Sequence, residues 1–405
     1  MLASVASMID QFNLPNIDLL QELGYEVHVA CNFKEGNTCS MKRVRKLQTL
    51  LQHLHIVQHQ WDCPRNIYSL VSCIRAYQQL EELLGRYQYA WIHCHSPIGS
   101  ALARVAAHQK KLRVIYTAHG FHFYQGAPLW NWIFYYPLEK LLAYWTDVLI
   151  TVNEEDYCFA KTRLKAGKVC YIPGVGVGQE FFGTGRQKDY GMDAAKSFRK
   201  KYGIPDHAFH ILSVGELSRR KNHQIVLDAL SGAVRQDVYY IICGQGPRKR
   251  FLKEYAQKHG ILKQLRLTGY QEDLARFYQN ADIFVFPSKQ EGMPVALMEA
   301  MAAGLACVVS DIRGNRELIG GSPKTCLRNK RSVAKAGGIR FSLKQPERLQ
   351  EAINVLLKEK DLRQACGARN QKEMAMRTLP MIKDRMRNIY MDFAMEDNFG
   401  LENMK

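Results

Sequence analysis

The stretch Ile283-Phe284-Val285-Phe286-Pro287-Ser288-Lys289-Gln290-Glu291-Gly292-Met293-Pro294-Val295-Ala296-Leu297-Met298-Glu299-Ala300-Met301-Ala302-Ala303-Gly304 decides how this chain folds. It opens on apolar β-formers, passes through turn residues and ends in Ala, Leu and Met, which lose little on entering a helix. The pattern predicts a buried strand over 283–287, a tight loop, and a helix over 295–303. Pro294 suits the first helical turn, where a missing N–H costs nothing. Gly304 suits the left-handed position just past the helix end, and Gly292 lets backbone come close to a ligand. A helix that starts in this way offers free N–H groups and a positive partial charge to an anion.

Working outward, the same alternation recurs. Strands are expected over 2–6, 25–30, 55–58, 90–93, 114–117, 148–151 and 170–172 in the first half. In the second half they are expected over 210–214, 238–243, 265–268, 283–287 and 306–310. Helical patterns lie between them, at 16–23, 67–84, 224–230, 248–259, 272–279 and 346–358. Short strands separated by helices argue for βαβ units and parallel sheets. The polar, glycine-containing stretch 183–196 is expected to be a linker. The predicted fold class is therefore α/β, with two doubly wound Rossmann-like domains facing each other across a cleft. The expected domains are residues 1–185 and 186–380, with a C-terminal helix over about 381–405 packing back on the first.

Composition narrows the function. With 47% hydrophobic and 10% aromatic residues in 405, the chain has material for two cores. The formal net charge is +18, about +3 of it before residue 186 and about +15 after. Such an excess favours anionic partners: phosphates or acidic headgroups. No zinc-finger spacing or aromatic-plus-basic RNA motif is present, so nucleic acid is not an expected partner. Eleven cysteines without a CxxC pair suit a reducing compartment. His93 and His95 share one face of their strand while Cys94 points the other way, so the run is no metal triad; no metal is expected. No basic leader precedes the first strand, and no run of 18 uncharged apolar residues exists. A cytoplasmic protein is expected, peripheral on the inner face of the membrane if it docks there.

Five groups of residues carry candidate chemistry. Glu291 precedes the 295–303 helix and Glu299 lies within it, too far apart along the chain to flank one glycosidic bond as hydrolase carboxylates do. They suit two parts of an extended ligand; otherwise Glu291 is a buried cap and Glu299 a solvent-facing residue. Gly215, Arg219, Arg220 and Lys221 follow a strand and form a candidate diphosphate clamp, the alternative being a solvated basic turn. His119 and Gly120 end a strand of the first half. Gly244 and Gly246 make an incomplete dinucleotide loop that still lets backbone pass close to a nucleotide. The run 174–178 is a turn-rich crossing. Residues 126–145 are dense in Trp, Tyr and Phe, either a core helix or a surface that meets membrane.

The run from Glu291 to Glu299 resembles the E-x7-E motif of family 4 retaining glycosyltransferases, which have the GT-B fold. The likeness extends through Gly304, through Ser310-Asp311-Ile312-Arg313-Gly314-Asn315-Arg316-Glu317, and back to Val214–Asn222 and to the strand before the motif, Ala281–Ser288. In the first half, Asn13-Leu14-Pro15 and His119–Phe123 are similar to bacterial exopolysaccharide and capsule glycosyltransferases. The resemblance implies that Glu291 holds hydroxyls of the donor sugar and Glu299 the ribose. It implies that Gly292, Met293 and Pro294 meet sugar and diphosphate, that Lys221 contacts the diphosphate, and that His119 stands near the reacting sugar.

The implied activity is that of a retaining hexosyl- or N-acetylhexosaminyltransferase using a nucleotide-sugar donor, with uridine as first guess for the base. No cofactor or metal is implied. The implied acceptor is a lipid-linked (undecaprenyl-diphosphate) or other glycan, with peripheral contact to anionic membrane. A GT-B epimerase and a noncatalytic nucleotide-sugar-binding subunit are the alternatives. Two departures stand out. Glu216 replaces the arginine that usually follows the glycine matching Gly215, so either Arg219 or Arg220 is the second cation or the clamp has one cation fewer. Ser7-Met8-Ile9-Asp10 replaces a glycine-rich loop after the first strand.

Overall fold

The computed structural model describes residues 1–65, 69–182, 192–231, 237–322, 327 and 329–402. The chain forms two compact units, Met1–Val175 with Pro380–Lys405, and Gly176–Leu379. The passage from one to the other falls at Val175, upstream of the expected boundary at 185. Most of the expected linker, 183–191, lies outside the described residues, and the rest belongs to the helix Met192–Tyr202.

The first unit holds seven parallel strands: β1 (Leu2–Val5), β2 (His28–Asn32), β3 (Val57–Gln60), β4 (Trp91–His95), β5 (Arg113–Ala118), β6 (Val148–Thr151) and β7 (Lys168–Tyr171). Their order is β3-β2-β1-β4-β5-β6-β7. The helix Leu379–Glu402 returns to this unit, where Tyr390 and Phe393 are buried against Trp91. Arg113 places its guanidinium over the Phe393 ring, 3.7 Å from the centroid. Where the sequence comparison expects a glycine-rich loop after β1, the chain turns directly into the helix Ala6–Phe12. Asp10 of that helix is held by Arg43 at 2.8 Å.

The helix Leu129–Ala143 settles the aromatic segment: it is both core and surface. Trp132, Tyr135 and Tyr136 pack onto the core of the unit, and Glu139 binds the buried Arg104 at 2.6 Å. The opposite face turns Ile133, Trp130 and Phe134 outward, 57%, 68% and 64% exposed, with Leu129 and Leu141 exposed beside them.

The second unit holds six parallel strands: β8 (Phe209–Val214), β9 (Val238–Cys243), β10 (Leu265–Gly269), β11 (Ile283–Phe286), β12 (Ala306–Ser310) and β13 (Gly338–Phe341), in the order β10-β9-β8-β11-β12-β13. Both faces of this sheet are covered. Leu212, Ile241, Phe284 and Val309 enter one core, while Ile211, Tyr240, Ile283, Val285 and Val308 enter the other. The alternation of side chains across a strand makes this partition, and burial on both sides explains why these strands read as continuous apolar runs. β13 escapes the sequence pattern. It is short, Arg340 breaks its apolar run, and Gly338 opens it so close to Cys307 that a Cβ would lie 2.1 Å from that carbonyl oxygen.

From β8 the chain winds outward through β9 and β10; it then returns to β11 and winds the other way. Neighbouring β8 and β11 therefore bound the point where the sheet order reverses, and loops leaving their carboxyl ends diverge to open a crevice there. Those loops are 215–223 and 287–294.

Candidate active site

Gly215 leaves β8 at φ +151, and its missing Cβ makes room for the stem of Lys221, whose Cε would be 3.1 Å from such an atom. Lys221 thus doubles back on its own strand end, with its ammonium 4.7 Å from the centroid of the Phe286 ring at the end of β11. The next loop carries Glu291 to meet it. Lys221 Nζ and Arg220 Nη1 both lie 2.8 Å from Glu291 Oε1. Arg220 also donates to the Gln290 carbonyl at 3.0 Å, and Lys289 N–H donates to the Arg220 carbonyl at 2.8 Å. Of the two arginines near Glu216 it is Arg220 that meets Glu291; both Arg219 and Arg220 are exposed.

Burial pushes the Glu291 carboxyl up, but the Lys221 and Arg220 cations overcome it and hold the group below the usual carboxylate range. Burial also drags Lys221 below the ordinary lysine value, against the pull of Glu291. Two cations on one carboxylate leave an excess of positive charge in a partly desolvated place, where an incoming anion is attracted most strongly.

Immediately beyond Glu291, Pro294 caps the helix Val295–Ala302 with no side-chain hydrogen bond to its first turn. The N–H groups that open such a turn have no acceptor four residues back, though that of Leu297 donates to the Pro294 carbonyl at 3.1 Å. The loop ahead of the helix is fixed from behind. Ser310 Oγ donates to the Ser288 carbonyl at 2.5 Å, and Asn315 Nδ2 donates to the Ser310 carbonyl at 2.9 Å. Arg313 Nε reaches the Glu291 carbonyl at 3.4 Å. Gly314 presses on the loop so closely that a Cβ would sit 2.1 Å from the Gly292 carbonyl oxygen and 2.9 Å from Pro294 Cδ. Met293 is half-buried against the core.

Glu299 does not face open solvent. Tyr278, fully buried, donates its hydroxyl to Glu299 Oε2 at 2.7 Å and also lies 3.1 Å from the Ala296 carbonyl. Burial raises the Glu299 carboxyl to about 7; the Tyr278 hydrogen bond opposes the rise and the charge of Glu180 adds to it. In the unfolded chain the group ionises in the usual carboxylate range. Between the two values the folded state keeps a proton that the unfolded state has released, so stability falls as pH rises through that window. The loss is on the order of 2 kcal/mol, allowing for residual solvent. Glu299→Gln is expected to flatten the decline of Tm between about pH 5 and pH 7.5; parallel curves for variant and wild type would contradict the burial account.

Gly244 and Gly246 reach the same crevice from behind. Cβ atoms there would lie 1.9 Å from the Gly215 carbonyl oxygen and 2.6 Å from that of Leu217. Leu217 N–H donates to the Gln245 carbonyl at 2.9 Å and Arg248 N–H to the Leu217 carbonyl at 3.0 Å. These glycines let one loop lie flat on another and so hold Gly215.

His119 belongs to the first unit, at the carboxyl end of β5. Its Nε2 is 3.2 Å from His95 Nδ1, its ring lies 5.5 Å from that of Phe12, and burial lowers its pKa to about 4. His93, one stagger down β4, bonds Tyr390 and Thr117, each at 2.8 Å. Among the described residues no group of three His, Cys, Asp or Glu side chains is arranged to hold a metal ion.

Tyr278, Arg313, Ser310, Asn315 and Phe286 were not assigned roles from sequence. The runs 281–288 and 310–317 belong to the motif resemblance and were a usable signal for four of them. Tyr278 carried none, since it acts through a neighbour brought up by the sheet.

The model of glycosyl transferases group 1 matches residues 195–373, and that of glycosyl transferase 4-like proteins matches residues 4–153. The putative glycosyltransferase EpsD of Bacillus subtilis is 33% identical over 324 residues, 78% of this chain and 79% of its own. A UDP-Gal:alpha-D-GlcNAc-diphosphoundecaprenol alpha-1,3-galactosyltransferase of Escherichia coli is 31% identical over 263 residues, 63% and 66% of the two chains. Among solved structures, Anabaena HepE in complex with UDP-glucose superposes with a TM-score of 0.75 at 15% identity, covering 96% of this chain and 98% of its own. With family models matching both halves, and a relative alike over more than three quarters of each chain, the protein belongs to the group 1, family 4 glycosyltransferases of GT-B fold.

Proposed function

We propose that the chain transfers a hexose or N-acetylhexosamine from a UDP-sugar to a lipid-linked or glycan acceptor in cell-surface polysaccharide synthesis, with retention at the anomeric carbon. The observation that carries this reading is the meeting of Arg220, Lys221 and Glu291 just ahead of the uncapped helix Val295–Ala302, with Glu299 one turn further on. Helix N–H groups and two cations suit a diphosphate. Glu291, ionised, accepts from sugar hydroxyls, and Glu299 accepts from ribose hydroxyls. The relatives point the same way, since one takes UDP-galactose to a diphosphoundecaprenol-linked sugar and HepE was crystallised with UDP-glucose.

In this reading the acceptor oxygen forms a bond to the anomeric carbon on the face from which the diphosphate leaves. The C–O bond to the diphosphate breaks, and the departing phosphate oxygen takes the acceptor's proton. Lys221, Arg220 and the helix N–H groups stabilise the charge that grows on that oxygen, more in the transition state than in the ground state. No resident cofactor or metal is required by these steps.

The test has two arms. UDP and UDP-sugars are expected to raise Tm by several degrees at concentrations well above Kd, as ligands of the native state do. An α-linked UDP-sugar is expected to give an α-linked product by NMR, only when acceptor is present. A β-linked product would refute retention, and donor consumption without acceptor would favour an epimerase.

Docking on an anionic membrane belongs to the same proposal. Among the described residues no helix is long and apolar enough to cross a membrane. The outward face of Leu129–Ala143 is supported at its carboxyl end by Lys140 and Lys165, whose ammonium lies 5.6 Å from the Tyr144 ring centroid. Apolar side chains rimmed by cations match acidic headgroups over acyl chains. The protein is expected to pellet with phosphatidylglycerol vesicles, and Trp130→Ala with Phe134→Ala to weaken this at least about tenfold. Pelleting unchanged by the double substitution would exclude this face, and self-association abolished by it would assign the face to a second copy.

A further inference from the structure

Three histidines of the first unit constrain one another's protons. His93 and His95 are each 1% exposed, their rings 4.2 Å apart, and His95 bonds His119. Burial lowers the pKa of His93 and His95 well below the usual histidine value, as it does that of His119. All three are therefore neutral near pH 7, and a neutral imidazole carries a single N–H.

The contact that breaks the symmetry is at the far side of His95, where Nε2 lies 3.1 Å from Met1 Sδ. A thioether has lone pairs and no proton to give. Only a protonated Nε2 makes an attractive contact there; a bare one would set lone pair against lone pair in a buried place. His95 Nδ1 is then bare and an acceptor. His119 Nε2, 3.2 Å away, must donate to it. Its one proton so used, His119 keeps a bare Nδ1. The bonds of His93 to Tyr390 and Thr117 impose no tautomer, because a hydroxyl turns to donate or accept. They hold the His93 ring, which lies tilted beside that of His95.

We infer that His95 is a positioning residue that locks His119 with Nε2 protonated and Nδ1 bare, so that His119 meets its ligand as an acceptor for a sugar hydroxyl and not as a donor to phosphate. The ligand half rests on the proposed transferase activity and on the place near the reacting sugar that the resemblance implies for His119; the tautomer half does not. Phe12 packs its ring beside that of His119, 5.5 Å between centroids.

Long-range 1H–15N correlation spectra of the full chain, labelled with 15N-histidine, read the tautomers directly near pH 7. His119 is identified by the signals lost in His119→Phe. The expected spectrum has its Nε2 in the protonated range and its Nδ1 in the unprotonated range; the reverse pattern overturns the inference, the assignment being made from His119→Gln if the phenylalanine variant does not fold. His95→Leu is expected to average the two His119 nitrogens and to lower kcat/KM at least about tenfold. His95→Gln, whose carbonyl oxygen accepts from the same N–H, is expected to restore most of both. An unchanged His119 pattern in His95→Leu overturns the positioning role. Full turnover in His119→Phe overturns the ligand half, and is told apart because the tautomer signature needs no donor.

Discussion

Lys221→Ala is expected to lower kcat/KM by about 10²–10³-fold, the loss typical of removing one preorganised group from a developing oxyanion. The ammonium sits against Glu291 at 2.8 Å and over the Phe286 ring, between the ends of β8 and β11. The substitution leaves Arg220 on the same carboxylate oxygen, so Glu291 is not stranded without a cation. Folding should therefore suffer far less than turnover, with Tm changed by a few degrees at most. Lys221→Arg is not expected to rescue, because the side chain threads a space that exists only where Gly215 lacks a Cβ. Activity measured beside UDP-dependent stabilisation separates the effects. Wild-type turnover in the alanine variant would remove the diphosphate clamp from the proposed function.

The second large effect is expected at a residue that touches no ligand. Gly314 lies in the helix Arg313–Leu318, where exchange of glycine for alanine ordinarily gains up to about 1 kcal/mol. Here the sign reverses. The added methyl would stand 2.1 Å from the Gly292 carbonyl oxygen and 2.9 Å from Pro294 Cδ, inside any tolerable contact. Backbone atoms cannot turn aside as a flexible side chain can, so the 292–294 loop must move or the helix must. Overpacking of this kind costs about 1–3 kcal/mol. Gly314→Ala is expected to lower Tm by several degrees and to abolish stabilisation by UDP, since the displaced loop carries Glu291 and the start of the Val295 helix. A variant as stable and as responsive to UDP as wild type would show that the loop yields freely, and would sever the proposed link between Gly314 and the anion site.

These two residues show where reading a sequence succeeds and where it stops. Lys221 was legible: a cation after a strand-end glycine, in a motif that resembles a known family. Gly314 was quoted within such a motif, yet nothing local says what its missing Cβ makes room for. The choice between Arg219 and Arg220 has the same character. Adjacent arginines on an exposed turn are equivalent in composition, and only the position of Glu291, arriving from β11, distinguishes them. Glu299 could be read as exposed or as a ligand, and the sequence left both open. Tyr278, 21 residues away, decides its setting. β13 was missed because Arg340 interrupts its apolar run, while its pairing with β12 supplies what its own pattern lacks.

By itself the sequence determined the alternation of strands and helices, the parallel character of both sheets, the strand–loop–helix unit at 283–304 and the family of the chain. Periodicity, helix caps and turn residues act between near neighbours, so they leave a local record. The tertiary structure alone decided that β8 lies beside β11, so that Arg220, Lys221 and Glu291 share one oxygen, and that His95 stands between a thioether and His119. Those meetings depend on the order of strands in a sheet. That order is set by the summed burial of two faces and by backbone pairing across long loops, not by any residue's immediate neighbours.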